Sequence, residues 1–253
     1  MNPMTTRVGA LGSALLDLVM PRECVVCRVP GLAVCRSCER RLVSQPVVQG
    51  PGISRGDLTG ADTCVPVRCA GWLTGDLDTV IRAWKDHGQR AIAHPLCRLL
   101  SGVIAADLPR NLDGRPPALA RPVLTAIPAT DRARWNRGED IVARLALLTA
   151  RQLATNGVEA AHHQILRVTR TVADQRHLGA ADRRENVRGA FAVRCAVQAP
   201  VVVIDDVVTT GATIHEGVAA LTRAGMHVVA VVALAHTVMN GVGKYGHNEP
   251  FLG

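Results

Sequence analysis

The stretch that decides the fold is "VVVIDDVVTTGAT", residues 201–213, in which four apolar residues run directly into two adjacent aspartates. The valine run predicts a central, buried β-strand, and the small residues that follow predict a loop. Residues 213–224 have helical character, and Gly225 lies just beyond them, where glycine commonly ends a helix. The stretch therefore predicts a strand, a loop and a helix in direct succession.

The segments around this stretch repeat the alternation of strand and helix. Strands are expected at "VLTAIP" (123–128), "AHHQILRV" (161–168) and "MHVVAVVALAH" (226–236), and a helix at "EDIVARLALLTARQLATNG" (139–157). Strands that alternate with helices form right-handed βαβ units. The predicted fold class is therefore α/β, with a mostly parallel sheet flanked by helices.

The region before these units has a different pattern. Residues 44–62 are rich in Gly, Pro and Ser and predict a linker or loop. "TCVPVRCAGWLTG" (63–75) predicts a strand that leads into a turn or hairpin. Residues 76–106 predict helix with a break at Gly88, since Leu77, Val80, Ile81 and Trp84 form one apolar stripe.

The two aspartates stand where an α/β protein binds its ligand. Ligands of open parallel sheets lie outside the carboxyl ends of the strands, and Asp205 and Asp206 occupy such an end. A helix N-terminus after the loop suits a phosphate, and Gly211 is expected to let the backbone approach it closely. Hydroxyl donors come from the threonines of the loop, Thr209, Thr210 and Thr213.

The paired carboxylates need a partner other than the phosphate, which they would repel. Vicinal sugar hydroxyls are suitable because they donate hydrogen bonds that carboxylates accept. The residues thus indicate a site for a ribose 5-phosphate. The structural alternative is a strand end whose Thr and Asp side chains only cap the helix.

This stretch resembles the PRPP loop of the type I phosphoribosyltransferases, which places two acidic residues after a hydrophobic strand and before a T-T/S-G-x-T loop. The resemblance implies that Asp205 and Asp206 bind the 2′ and 3′ hydroxyls of the ribose. It also implies that the following residues hold the 5′-phosphate, namely Val208, Thr209, Thr210, Gly211, Ala212 and Thr213. Mg²⁺ bound with PRPP is implied as well.

Four of the eight cysteines form "CVVCRVPGLAVCRSC", with Cys24, Cys27, Cys35 and Cys38 in a C-x2-C-x7-C-x2-C pattern. Two C-x2-C knuckles can deliver four thiolates to one tetrahedral Zn²⁺, which favours a structural zinc module. The seven-residue spacer is shorter than that of common four-cysteine fingers and predicts a more compact module. Disulfide pairs and a redox C-x-x-C remain as alternatives.

The order of segments along residues 11–238 resembles the competence protein F (ComF) family. The four-cysteine module precedes "GWLTGDLDTVIRAWKDHGQ", "IPATDRARWNRGED", "LRVTRTVADQRHLGAADRRENVRGAF" and the loop. The resemblance implies a zinc-binding segment fused to a type I phosphoribosyltransferase-like fold, connected with DNA uptake in naturally competent bacteria. The expected units are residues 1–60 (an N-terminal helix, the zinc module and a linker), 61–240 (the phosphoribosyltransferase-like domain) and 241–253 (a tail).

Three further segments are assigned through this resemblance. Arg137 and Gly138 lie where the family places its pyrophosphate segment, and Lys85 lies in a lysine–aromatic pair whose order is shifted. Residues 167–188 correspond to the hood that closes over PRPP, and their six arginines, Arg170 among them, exceed three acids. These arginines either clamp pyrophosphate or form a solvated basic loop. The catalytic base is not identified by any motif.

Composition limits the partners. The net charge of +8 favours anionic partners, whereas an aromatic content of 2% argues against single-strand binding by base stacking. No apolar run approaches the length of a membrane span, so a cytoplasmic protein without a membrane partner is expected.

Two functions fit these features. One is transfer of a phosphoribosyl group from PRPP to a base or amine. The other is non-enzymatic sensing of PRPP or a nucleotide in DNA uptake or repair, with single-stranded DNA or competence or repair proteins as partners. A homodimer is compatible with both.

Overall fold

The computed structural model describes residues 23–54, 64–107, 121–129, 138–169 and 189–238. Ten strands run in chain order: β1 Val48–Gln49, β2 Ile53–Ser54, β3 Cys64–Val65, β4 Val67–Cys69, β5 Val123–Ala126, β6 Ala161–His162, β7 Leu166–Val168, β8 Phe191–Val193, β9 Val201–Val208 and β10 Val228–His236. Five α-helices accompany them: α1 Arg36–Val43, α2 Gly75–Lys85, α3 Ala93–Asp107, α4 Ile141–Thr155 and α5 Ala212–Arg223. A short 3-10 turn, Arg90–Ile92, precedes α3.

The main sheet has six strands in the order β1-β4-β10-β9-β5-β6. Strands β4, β10, β9, β5 and β6 run parallel to their neighbours, and β1 alone pairs antiparallel, with β4. The expectation of a mostly parallel sheet flanked by helices is confirmed. Strand β9, which contains the aspartates, is central because it lies between β10 and β5.

The two faces of the sheet are covered by different helices. Side chains alternate along β9, so Val202 and Ile204 pack into the cluster that contains helices α1 to α4. Val201 and Val203 pack into the cluster that contains α5. The first cluster also holds Cys24 and Cys38, so the apolar core of the four-cysteine module is continuous with that of the helix layer.

The expected linker at residues 44–62 is partly strand in the structure. β1 pairs with β4 of the main sheet, and β2 pairs with β3 in a separate two-stranded sheet. The prediction of a linker or loop was wrong for these strands. Val48 and Ile53 are buried, although the surrounding sequence is rich in glycine and proline. These tertiary contacts outweigh the weak local signal.

Two smaller expectations also differ. "AHHQILRV" is two strands, because the chain leaves the main sheet after β6 and forms a separate antiparallel pair from β7 and β8. β3 and β4 do not form a hairpin with each other, since each pairs with a strand from residues 48–54. Among the described residues, the helices are all too short or too polar to cross a bilayer.

Candidate functional site

The four N-terminal cysteines converge on one point. Their sulfur atoms all lie within 4.8 Å of one another, and the Cys27 and Cys35 sulfurs are 3.6 Å apart. A tetrahedral zinc centre with Zn–S bonds of about 2.3 Å would place its sulfurs about 3.8 Å apart. All four cysteines are free thiols, so the disulfide alternative does not describe this arrangement.

The surroundings of the sulfurs favour thiolate formation at one position. Burial opposes ionisation of Cys24, but backbone N–H groups of Cys27, Cys35 and Val26 outweigh it and lower its pKa to about 6. Burial and the neighbouring sulfurs raise the pKa of Cys38 to about 12. A second thiolate beside Cys24 would be repelled by the first. A divalent cation would offset the repulsion between thiolates, so the four cysteines fit a structural zinc ion.

Arg41 connects the cysteine cluster to helix α2. Its Nη2 atom lies 3.3 Å from the sulfur of Cys38 and donates to Oδ2 of Asp76 at 2.8 Å. A guanidinium is a suitable donor to a metal-bound thiolate, and such neighbours orient metal ligands. On the other side of the module, Arg98 of α3 pairs with Glu39 of α1. The module is thus held against two helices of the main fold.

The two aspartates at the end of β9 have different surroundings. The alternation of β9 does not continue through the aspartates, because Val207 packs against the cluster that contains α1 to α4 and Val208 lies in the cluster that contains α5. The side chain of Asp205 accepts a hydrogen bond from the N–H of Asp206 at 2.8 Å. The two carboxylates are therefore adjacent but not equivalent.

Asp206 is paired with Lys85, the last residue of α2. The Nζ and Oδ2 atoms are 2.7 Å apart, and the side chains are 27% and 17% exposed. The sequence indicated Lys85 only weakly, through a lysine–aromatic pair whose order is shifted relative to the ComF family. The apolar stripe of α2 determines which face of the helix packs on the rest of the fold, and Lys85 follows the buried Trp84 at the end of the helix.

Asp205 is a carboxyl group that resists ionisation. Burial raises its pKa to about 8, and the charge of Asp206 adds to this shift. The N–H of Asp206 and the ammonium of Lys85 act in the opposite direction, while Asp140 adds a small further increase. Asp205 therefore keeps its proton to a higher pH than a free carboxyl group does, and in the protonated form it can donate a hydrogen bond as well as accept one.

The loop after β9 leads directly into helix α5. Gly211 is the residue before the helix and has φ of +76°, a left-handed conformation that favours glycine. Within the protein, a Cβ at this position would meet only ordinary contacts, the nearest 3.9 Å away, so the backbone conformation alone requires the glycine. Pro51, from the expected linker, is among these neighbours.

The start of α5 is suited to an anion. No acidic side chain lies in its first turn, and no side chain caps it from the residue before the helix. The N–H of Ala212 donates to Oγ1 of Thr210 at 3.5 Å, and the N–H of His215 donates to the carbonyl of Gly211 at 2.9 Å. The N–H groups of Thr213 and Ile214, between them, come before the first hydrogen bond of the helix. The helix dipole adds partial positive charge at the same place.

Asp140 has a structural task. Its Oδ1 atom accepts the N–H of Ala143 and so caps helix α4, and its Oδ2 atom accepts the N–H of Ala129 after β5. Glu139 beside it pairs with Arg90 and Arg144. Glu139 and Asp140 thus hold this segment in place.

The structure brings together only part of the predicted site. Asp205, Asp206 and residues 208–213 are continuous at the carboxyl end of β9. Arg137 and Arg170 lie outside the described residues, as do most of the predicted hood and the N-terminal helix. β7 and β8 flank the undescribed part of the hood.

Comparison with known proteins finds relatives with a DNA-related name. The "DNA utilization protein YhgH" of Salmonella typhi is 34% identical over 116 residues, which are 46% of this chain and 49% of the relative. The protein of the same name from Escherichia coli K12 is 33% identical over the same shares. The chain spans about half the length of the curated relatives it matches. No family model matches the chain.

Proposed function

We propose that the chain is a phosphoribosyltransferase-like protein of the competence protein F type that binds PRPP or another ribose 5-phosphate at the end of β9. One observation carries the proposal. Oδ2 of Asp206 lies 2.7 Å from Nζ of Lys85. The loop that follows turns through Gly211 into the start of α5, where the residue before the helix provides no side-chain cap. This arrangement offers acceptors for sugar hydroxyls beside donors for a phosphate.

The proposed ligand is bound through three sets of groups. Asp206 and Asp205 bind the ribose hydroxyls, and the loop to Thr213 binds the 5′-phosphate. Lys85, together with Arg137 and Arg170, is proposed to meet the charge of the pyrophosphate. Apart from the cysteine cluster, the described residues contain no group of three or more potential metal ligands. Mg²⁺ would therefore come with the pyrophosphate of PRPP as part of the substrate.

The proposed reaction is a displacement at C1′ of the ribose. A nitrogen of the acceptor forms a bond to C1′ and then loses a proton, while the bond from C1′ to pyrophosphate breaks. The pyrophosphate leaves with the electron pair, and cationic side chains stabilise its charge. The chain thus acts by positioning and neutralisation, and no side chain forms a covalent intermediate.

The four-cysteine cluster is proposed to bind a structural zinc ion. Cys24 and Cys38 belong to the same apolar cluster as helices α2 and α3, so the metal would stabilise the helix layer from which Lys85 reaches Asp206. The module is also a candidate surface for partners of the chain.

The activity is tested by pyrophosphate release from PRPP with Mg²⁺ and a panel of nucleobases and amines. Release with at least one acceptor, lost in Asp206→Asn and kept in Asp78→Asn, is expected. Asp78 is the matched control because it lies on the exposed side of α2 and pairs with Arg82. The transferase proposal is wrong if no acceptor gives release while the protein still binds PRPP.

That last result would favour the second candidate function, a non-enzymatic sensor of PRPP or a nucleotide that acts in DNA uptake or repair. The observation that favours it is the name "DNA utilization protein" of the relatives. Its proposed partners are single-stranded DNA or competence or repair proteins. We place the protein in the cytoplasm and propose a homodimer as one possible assembly state. The sensor proposal fails if neither PRPP nor a nucleotide binds.

A further inference from the structure

The exposed apolar side chains are concentrated on the four-cysteine module and the residues directly after it. Six large apolar side chains are exposed among the described residues, and four of them lie between residues 29 and 47, namely Val29, Leu32, Val43 and Val47. Apolar side chains that cluster on a surface commonly mark a place where another segment or molecule binds. This part of the chain therefore requires an occupant.

Leu32 and Val43 also line a groove that runs over helix α3. Helix α3 packs against both α1 and α4, and residues of all three helices line the groove. Gly102 of α3 is one of them, and a Cβ there would meet no atom within 4 Å, so the space above α3 is open. The groove has a volume of about 1090 Å³, which a helix about 10 Å across fills with about 14 Å of its length, or about nine residues.

A segment of matching length precedes the module in the sequence. Residues 8–19 are almost entirely apolar, and Leu11, Leu15, Leu18 and Val19 recur at helical spacing over nine residues. Pro21 ends such a helix, because proline disfavours the helical conformation in the residue before it. The segment lies outside the described residues, so its helical form is a prediction from the sequence.

The chain enters the module beside the groove. Glu23, the first described residue, pairs with Pro30 in an antiparallel bridge, and Pro30 is two residues before Leu32. Four peptide links separate Val19 from Glu23, and they span at most about 14 Å. The segment is therefore tethered close to the apolar side of the groove, which raises its effective concentration there.

The charges of the groove are complementary to this end of the segment. Arg36 and Arg40 line the groove and lie one turn apart on α1. The C-terminal end of a helix carries partial negative charge, and Asp17 near that end is the only acid of residues 8–19. Because the tether holds the C-terminal end on the side of Leu32, these negative groups lie near the arginines.

A nucleic acid fits the groove less well. The described residues that line it include no aromatic side chain on which a base could stack. Glu39 also lines the groove and would repel a phosphate, and the cation beside it, Arg98, is already paired with this carboxylate. The apolar and charged groups together favour an amphipathic helix.

We propose that residues 8–19 form an amphipathic helix that binds in this groove. Its stripe of Leu11, Leu15 and Leu18 packs against the exposed Leu32 and Val43. The segment thereby braces α1 against α3 and α4, and it fastens the four-cysteine module to the helix layer of the main fold. The inference is independent of the ribose 5-phosphate site.

The experiment is photo-cross-linking of the full chain with benzoylphenylalanine in place of Leu32, followed by digestion and mass spectrometry. Cross-links to residues 8–19 of the same chain are expected. A mixture of isotope-labelled and unlabelled chains distinguishes links within one chain from links between copies. Benzoylphenylalanine in place of Val238 is the matched control, because Val238 is 56% exposed against 57% for Leu32 but does not line the groove.

Two variants test the apolar stripe in the cross-linking protein. Leu15→Asp is expected to reduce the yield by about tenfold, because it places an unpaired charge against apolar side chains. Ser13→Asp adds the same charge on the opposite side of the helix and should leave the yield unchanged. A link to a second copy of the chain, the absence of a link to residues 8–19, or equal yields from the two variants would each overturn the proposal.

Discussion

Lys85 and Asp206 form an ion pair of 2.7 Å between the last residue of α2 and the carboxyl end of β9. The pair connects two parts of the chain that lie 121 residues apart, and it sets the charge balance at the proposed ligand site. Arg41 joins Asp76 near the other end of the same helix to Cys38. Helix α2 therefore spans the distance between the cysteine cluster and the aspartates.

The first prediction concerns this ion pair. Lys85→Met leaves Asp206 beside Asp205 without its cation, and we expect a loss of about 1–3 kcal/mol in the free energy of unfolding. Arg82→Met is the control, because Arg82 makes an exposed pair with Asp78 on the same helix. Urea denaturation measures both variants. Equal effects of the two substitutions would show that the Lys85 pair has no special role.

The second prediction concerns pH. The pKa of Asp205 is raised from 3.8 to about 8, so the folded chain binds more protons at this carboxyl than the unfolded chain does between these values. The contribution of Asp205 to stability is therefore complete below about pH 4 and is lost as the pH rises through about 8. Asp205→Asn should remove this contribution to the slope.

The measurement is thermal unfolding of the unmodified protein and of Asp205→Asn at several values from pH 5 to pH 9. Comparing the two slopes cancels the titration of histidines and thiols, which both proteins share. The groups that interact with the carboxyl group of Asp205 are Lys85, Asp206, Asp140 and Cys69, and all four residues are kept in the variant. Parallel curves would contradict the raised pKa.

The sequence predicted the order of the main elements because their signals are strong and local. The helix after Gly211 was placed within a residue of its position in the structure, whereas β9 does not end at the aspartates but continues to Val208. The four cysteines were recognised as one cluster because their spacing itself determines their geometry. These features depend on short segments and not on the rest of the chain.

The parts that sequence analysis missed depend on tertiary contacts. β1 and β2 have two residues each and are stabilised by pairing with β4 and β3. The ion pair of Lys85 depends on where α2 ends relative to β9. The groove over α3 could not be anticipated, because residues of three helices that are distant in the sequence line it.

The third prediction concerns the metal. The unmodified protein should contain one zinc ion per chain by atomic emission, and Cys38→Ser should contain none. Because Cys38 is buried in the core cluster, this substitution should also lower the melting temperature by about 10 °C. Cys195→Ser is the control, since Cys195 is exposed and lies outside the cluster. Full zinc content in Cys38→Ser would contradict the assignment.

The fourth prediction uses two glycines at opposite ends of α5. Gly211 and Gly225 both have φ of +76°, so alanine should cost about 1 kcal/mol of folding free energy at either position. Only Gly211→Ala should also weaken binding of ribose 5-phosphate, because only Gly211 shapes the predicted phosphate loop. Calorimetry in which both variants lose the same affinity would argue against the loop as the phosphate site.

The most direct measurement is a crystal structure of the chain with PRPP and Mg²⁺. The account predicts the 5′-phosphate within hydrogen-bonding distance of the backbone N–H groups that begin α5, and the ribose hydroxyls on the carboxylate of Asp206. A complex in which PRPP binds elsewhere, with Asp206 still directed only at Lys85, would contradict it.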